Sequence, residues 1–183
     1  MQTGMELERL GIPDLILFKP KVFHDSRGFF METFKQGSMF SDDYHIVQTN
    51  ISASKQGTLR GLHYQVNHQQ GKLVSVVLGK IFDVAVDIRR DSPTFGRWCS
   101  AILSDENKNI LWVPPGFAHG FYALSDWSKI EYQCTDYYYH EHERGILWND
   151  SSIGIEWPII PDVPVLLSEK DAKNKFLSES ELL

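Results

Sequence analysis

The stretch "GTLRGLHYQ" at 57–65 sets one imidazole, His63, between Leu62 and Tyr64, with Arg60 three residues before it. In a run that reads as a β-strand, such a histidine is either a hydrogen-bonded core residue or a proton carrier facing a pocket. If the run is a strand, Leu59, Gly61, His63 and Gln65 share one face. By the same alternation Lys72, Val74, Val76 and Leu78 share a face of the next strand, and Asp83, Ala85 and Asp87 share a third. An interior holding His, Lys and Asp is costly unless those groups pair or line a cavity. Two arrangements follow: an interior that is partly a site, or an aliphatic interior with the acids Asp83 and Asp87 turned outward. A second histidine, His119, follows the turn Pro114-Pro115-Gly116 in "WVPPGFAHGF". Arg27 in "DSRGFF" and Arg60 in "TLRGLH" each stand beside a glycine, which permits close backbone approach. Guanidinium groups so placed suit a pyrophosphate, and surface arginines are the plainer alternative. Strict alternation puts Arg60 on the face opposite His63. Either Gly61 bends the strand, or Arg60 reaches a rim.

The elements that must position these residues are short and strand-like. "DLILFKP" (14–20), "FFMETF" (29–34), "YHIVQTNISAS" (44–54), "WCSAILS" (98–104), "NILWVP" (109–114), "GFYALS" (120–125) and "KIEYQCTDYYY" (129–139) carry period-2 or compact apolar runs. "KLVSVVLGKIFDVAVDIRR" (72–90) reads as a hairpin turning at Leu78-Gly79-Lys80. Turn signals fall at Asp91-Ser92-Pro93, Asp105-Glu106-Asn107 and Ser125-Asp126. Many short strands at regular spacing predict an antiparallel sandwich or barrel. "SEKDAKNKFLSESELL" at the C-terminus is helix-compatible, with Ser168 as N-cap, and "METFKQGSMF" has room for a turn or two. The segment 140–165 is irregular, with apolar islands "GILWND" and "IEWPII" that fold back on the sandwich.

At 183 residues, without repeats or a linker, the chain is expected to form a single domain, 1–183. A net charge of −6 speaks against nucleic acid as a partner, yet leaves room for a small phosphorylated ligand held by a few local cations. The aromatic share of 13% suits a sandwich core or a pocket that stacks a ring. Cys99 and Cys134 make no CxxC pair and give no secreted disulfide framework. Met1–Leu10 carries Glu6, Glu8 and Arg9 with no apolar core, so no signal peptide is expected. No apolar run approaches membrane-spanning length. The expected compartment is the cytosol, with no membrane partner.

The spacing Pro114–Gly116–His119 resembles the second motif of cupin barrels. In metal cupins an earlier His-x-His and a Glu complete the ligand set. Here the matching stretch is His63-Tyr64-Gln65. Glutamine is a poor ligand for most transition metals, and Lys72 nearby would repel a dication, so no metal is expected.

The motifs "RGLHYQ", "VDIRRDSPTFGRW", "WVPPGFAHGF" and "TDYY", in this order, closely resemble the dTDP-4-dehydrorhamnose 3,5-epimerase family. The resemblance runs from about Leu15 to Ala172 and takes in "DSRGFFMETF", "VQTNISASKQGTLRGLHYQ", "GILWND" and "LLSEKDA". It implies an all-β, cupin-like jelly-roll β-sandwich with a few short helices near the termini. It implies a homodimer that needs no cofactor. The reaction implied inverts C3 and C5 of dTDP-4-dehydro-6-deoxy-D-glucose, both acidified by the C4 ketone between them. By motif position, His63 matches the general base and Asp171 its carboxylate partner. Tyr132 matches the proton donor on the opposite face, and Lys72 the cation near the C4 oxygen. His119 matches a residue in contact with the sugar, and Arg60 a diphosphate ligand. Gln48 and Asn50 match residues on the nucleotide side. Arg27, Phe30 and Glu32 match a segment that reaches the nucleotide site of the partner subunit.

Three other functions stand beside this one. A 3- or 5-monoepimerase would share the same base and acid. A metal-dependent cupin oxygenase is opposed by Gln65. A non-catalytic sugar-nucleotide binder is opposed by the presence of both His63 and Tyr132.

Overall fold

The computed structural model describes residues 5–37, 39 and 43–182. In chain order its strands are β1 (Met5–Arg9), β2 (Ile16–Pro20), β3 (Val22–Asp25), β4 (Gly28–Met31), β5 (Gln48–Lys55), β6 (Leu59–Gln65), β7 (Lys72–Leu78), β8 (Lys80–Asp87), β9 (Trp98–Ser104), β10 (Ile110–Val113), β11 (Phe117–Ala123), β12 (Trp127–Cys134) and β13 (Glu143–Gly145). They form a six-stranded sheet in the order β1-β2-β10-β7-β12-β5 and a five-stranded sheet in the order β13-β6-β11-β8-β9. Every pairing within the sheets is antiparallel. The β3–β4 hairpin stands apart as a two-stranded ribbon. An antiparallel sandwich, one of the two forms expected from the strand spacing, is what forms.

Alternation builds three apolar layers. Between the sheets, Val74, Val76, Leu111, Val113 and Ile130 of one sheet meet Ile81, Ala85, Leu103, Phe117 and Phe121 of the other. The outer face of the five-stranded sheet presents Leu62, Tyr64, Val84 and Val86 to Ile146, Ile153, Trp157 and Leu177 of the C-terminal segment. "GILWND" and "IEWPII" thus fold back as expected. The outer face of the six-stranded sheet packs Phe18, Leu73 and Trp112 against Phe34, Met39, Tyr44 and Ile46.

Two expectations are corrected. Residues 72–90 are not a hairpin. β7 pairs with β10 and β12, whereas β8 pairs with β9 and β11, so the chain crosses from one sheet to the other at Gly79. Each strand's apolar face is buried better against the opposite sheet than against its sequence neighbour. The C-terminal segment is not a continuous helix. It makes single 3-10 turns at Asp171–Lys173 and Leu177–Glu179. Asp171, Leu177 and Ser180 are each buried, and an extended chain with two turns reaches those separate anchors where one helical face would not. Ser168 still acts as a local cap, its hydroxyl accepting the Asp171 N–H at 3.0 Å. The turn expected in "METFKQGSMF" falls partly on residues outside those described, and residues 32–35 carry no helix. Both cysteines are free thiols. Among the described residues no helix is long and apolar enough to cross a membrane.

Candidate active site

The site lies between the sheets, where the apolar layer gives way to polar side chains. From the five-stranded sheet come His63 on β6, His119 on β11 and Asp83 on β8. His63 and His119 are direct cross-strand partners. Asp83 points inward and is fully buried, as is Asp87. Both His119–Asp83 contacts are short, from Nε2 to Oδ1 at 2.9 Å and to Oδ2 at 3.0 Å. Burial pushes the Asp83 carboxyl up, against the pull of His119 and Lys72. Asp87 serves stability instead. Burial opposes its charge, but hydrogen bonds from Arg89, Ser92 and Thr94 outweigh burial and bring its pKa down to about 2.

Gly61 settles where Arg60 points. On β11 one residue, Gly120, lies between His119 and Phe121; on β6 two residues, Gly61 and Leu62, lie between their partners Arg60 and His63. The extra residue is a bulge, and it returns Arg60 to the face of His63. A Cβ at Gly61 would stand 2.6 Å from the Gly120 Cα, so only glycine lets the two backbones meet there. Arg60 then reaches across to β5, donating from Nε to Ser54 Oγ at 3.1 Å and from an NH group to the Ala53 carbonyl at 3.4 Å.

Asp171 arrives from the C-terminal segment. His63 Nε2 lies 2.5 Å from its Oδ1. Burial opposes the Asp171 charge, but the bond and charge of His63, together with Ser168 and the Gly61 N–H, hold the carboxyl below its usual range. The bonded nitrogen donates to the carboxylate, which leaves the other ring nitrogen as a base.

From the six-stranded sheet come Lys72 and Tyr132. Tyr132 pairs with Val74 on one side and Asn50 on the other, on the inner face. Its ring stands edge-on to His119, with centroids 6.2 Å apart. Its hydroxyl is 2.9 Å from Ser52 Oγ. Burial drives the phenol well above its ordinary pKa, with Ser52 and Arg60 pulling the other way. It therefore stays protonated at neutral pH and can donate. Lys72 pairs with Val113 and Cys134. Burial pushes its ammonium pKa down, opposed by Cys134, Glu143 and Asp83.

Gln48 and Asn50 line the same edge. Gln48 Nε2 donates to Asn50 Oδ1 at 3.0 Å, and its Oε1 accepts the Tyr138 N–H at 2.9 Å. The β3–β4 hairpin is elsewhere. Arg27 is exposed and paired with Asp25 at 2.7 Å, and Phe30 is 72% exposed. Phe30 lies with Phe29 and Met31 beside Ser75, Val77 and Glu131, and neither it nor Glu32 joins the inner-face set. Within one chain the structure thus gathers His63, Asp171, His119, Tyr132, Lys72, Arg60, Gln48 and Asn50, and leaves Arg27, Phe30 and Glu32 outside.

Several residues join the site without having been singled out for it. Ser52 and Ser54 continue the polar stripe Gln48–Asn50 on β5, a period-2 signal present in "QTNISAS". Glu143 bonds Lys170 and accepts the Tyr138 phenol at 2.6 Å. Burial opposes its charge, but Lys170, Tyr138 and the nearby His63 lower its pKa. Gln65 occupies the second position of the His-x-His pattern, but its amide is committed to the backbone. Nε2 donates to the carbonyls of His68 at 2.6 Å and Tyr137 at 3.1 Å, and Oε1 accepts the Tyr139 N–H at 2.7 Å.

Two sheets closed over a histidine–carboxylate pair, with a buried phenol and an ammonium on the facing sheet, define a cupin-fold epimerase. The family model described as dTDP-4-dehydrorhamnose 3,5-epimerase matches residues 9–179, and the chain belongs to that family. It is 51% identical over 180 residues to the dTDP-4-dehydrorhamnose 3,5-epimerase of Pseudomonas aeruginosa, covering 97% of this chain and 98% of that protein. The enzyme of the same name from Shigella flexneri is 52% identical over 182 residues, covering 97% and 98%. The crystal structure of dTDP-6-deoxy-D-glucose-3,5-epimerase from Legionella pneumophila, in complex with dTDP-4-keto-L-rhamnose, superposes with a TM-score of 0.92 at 47% identity, covering 97% of this chain and 95% of that one.

Proposed function

We infer that this chain is the 3,5-epimerase of dTDP-rhamnose biosynthesis, acting on dTDP-4-dehydro-6-deoxy-D-glucose, and that its cavity residues divide the proton transfers between them. The observation that carries this reading is His63 on one sheet, paired with Asp171 of the C-terminal segment and facing a buried, protonated Tyr132 on the other sheet. Abstraction next to a ketone needs a base, a site for the enolate oxygen and an acid on the opposite face of the ring. His63 is the base. As it takes the proton from C3 or C5, Asp171 compensates the imidazolium. The electron pair moves to the C4 oxygen, where the Lys72 ammonium receives the charge. Burial makes that cation more effective there than it would be in water. Tyr132 then returns a proton to the other face of the carbon. His119, held by Asp83 between base and acid, contacts the sugar. Arg60 binds the diphosphate, and Gln48 and Asn50 bind on the nucleotide side.

The bulge supports the role of Arg60, since it sets the guanidinium on the cavity face. The commitment of the Gln65 amide to three backbone groups supports a site without a metal, because the position that would complete His-x-His is turned to the backbone and offers an amide oxygen rather than an imidazole nitrogen.

A homodimer completes the reading. Phe29, Phe30, Ile51 and Val77 expose large apolar surface, which a second copy would cover. Arg27, Phe30 and Glu32 would then reach the partner's nucleotide site. Sedimentation at micromolar concentration should give twice the chain mass.

The reaction is tested by incubating the 4-keto sugar nucleotide with the protein in deuterated water. Solvent deuterium should enter both C3 and C5, and NMR should show the L-rhamno product. The His63→Ala variant should lose this exchange by about 10²–10⁴-fold. Substantial exchange in that variant would remove His63 as the base, and deuterium at one carbon only would make the chain a monoepimerase.

A further inference from the structure

The β5 strand does more than line the nucleotide side. Its inner-facing residues run Gln48, Asn50, Ser52, Ser54, and the last two hold side chains from across the cavity. Ser54 takes Arg60, and Ser52 takes the Tyr132 hydroxyl at 2.9 Å. Ser52 is the hydrogen-bond partner of that phenol, whose ring packs against the apolar layer between the sheets with the His119 ring at its edge. We propose that Ser52 is a positioning residue for the acid, donating to the Tyr132 oxygen so that the phenol proton aims into the cavity. This rests on Tyr132 being the acid.

Hydrogen-bond inventory supplies the argument. Each hydroxyl has one proton and can accept as well, and the contact between them uses only one of the two protons. If Tyr132 donated to Ser52, its proton would point at β5, away from a substrate. With Ser52 as donor, the phenol proton is free. Once that proton has moved to carbon, Tyr132 is a phenolate in a buried site. The Ser52 O–H then donates to an anion, which is a stronger bond than it made to the neutral phenol. The bond therefore strengthens along the reaction, which is the property that lowers a barrier rather than merely tightening binding. Ser52 bonds the phenol, whereas the base is bonded by Asp171, so the effect of Ser52 should fall on reprotonation and not on abstraction.

The experiment compares two rates in deuterated water: wash-in of solvent deuterium, which requires His63, and net inversion, which also requires Tyr132. In Ser52→Ala, net inversion should fall by about tenfold or more, the scale of a lost hydrogen bond to a charged group. Wash-in should stay within about threefold. Ser52→Thr keeps the hydroxyl and suits a strand, and it should restore inversion. In a Tyr132→Phe background, Ser52→Ala should cost nothing further. Equal loss of wash-in and inversion, no loss of either, or a full extra loss in the Tyr132→Phe background would each overturn the proposal, since Ser52 would not be acting through the phenol. Normal inversion in Tyr132→Phe alone would instead overturn the assignment of the acid, and Ser52's role with it.

Discussion

Asp171 Oδ1 lies 2.5 Å from His63 Nε2, although 108 residues separate them in the chain. The carboxylate is nearly fully buried, and the imidazole is partly open to the cavity. Asp171→Asn keeps the shape and removes the charge that compensates the imidazolium. Turnover should fall by about 10²–10⁴-fold with an unchanged circular-dichroism spectrum. The stability sign follows from the lowered carboxyl. Its contribution is complete above the ordinary carboxylate range and is lost as pH falls through the depressed folded value. Wild-type protein should therefore lose stability below about pH 4, and Asp171→Asn should lose less over the same range. A variant with wild-type turnover would sink the dyad.

Much of this site was legible in the residues themselves. Alternation in "KLVSVVL" and "KIFDVAVD" put Lys72 with Val74 and Asp83 with Ala85 on shared faces but left open whether the acids turn in or out, and ordered motifs named the family. Arg60 was not legible, because a bulge changes a face without changing the local pattern; only the unequal spacing against His119 and Phe121 reveals it. The hairpin at Gly79 was misread because β7 and β8 are each good strands, and nothing local says which sheet each joins. The C-terminal helix was misread because Asp171 and the buried Leu177 are held by tertiary contacts there that intrinsic helix preference does not anticipate. Gln65 read as a missing ligand, and it is a backbone clamp.

Lys72 carries a trade of stability for activity. Burial lowers its pKa, so the unfolded chain holds the proton more tightly than the folded one. Folding is therefore penalised at neutral pH, and stability should rise as pH climbs through the depressed value toward that of free lysine. Lys72→Met removes the penalty. Its melting temperature should rise by about 2–4 °C, as expected for roughly 1 kcal/mol in a chain of this size. Its turnover should drop by about 10²-fold or more, because the enolate oxygen loses its cation. Thermal melts and product NMR on the same sample check both halves. A variant both less stable and fully active would refute both.

Gly145 pairs with His63 across β13 and β6, and Asn174 rests directly on it. A Cβ at Gly145 would meet the Asn174 amide at 2.4–2.6 Å. Asn174 also donates to the Gly61 carbonyl at 3.4 Å, at the bulge itself. The turn Asp171–Lys173 ends at Asn174, so displacing Asn174 displaces the carboxylate partner of His63, the proposed base. Gly145→Ala should cost about 1–3 kcal/mol of stability and lower turnover by roughly tenfold. Asn174→Ala, added to it, should recover stability because the clash is gone. Urea denaturation of the two single variants and the double variant gives the coupling. Simple additivity would show that the two residues do not oppose one another.

Gln65 holds the segment Tyr137–Tyr139 by donating to the Tyr137 carbonyl and accepting the Tyr139 N–H, and it ties that segment to the His68 carbonyl; Gln48 holds the Tyr138 N–H between them. Tyr138 of that segment bonds Glu143, whose charge lies near His63. Gln65→Leu leaves an N–H and two carbonyls without partners and should cost about 2–4 kcal/mol. Because the loosened segment bonds Gln48, which we propose binds on the nucleotide side, KM should rise more than kcat falls. Gln65→Glu separates the donor role from the acceptor role. At neutral pH its carboxylate can still accept the Tyr139 N–H, but it faces the His68 and Tyr137 carbonyls with no proton to give. At acid pH the protonated form regains a donor. The stability deficit of Gln65→Glu against wild type should therefore shrink as pH is lowered from about 7 toward 5, the side chain binding its proton in the folded state well above the ordinary carboxylate range. Gln65→Leu should show no such recovery. A pH-independent deficit in Gln65→Glu would mean that the two carbonyls are served by something other than the Gln65 amide.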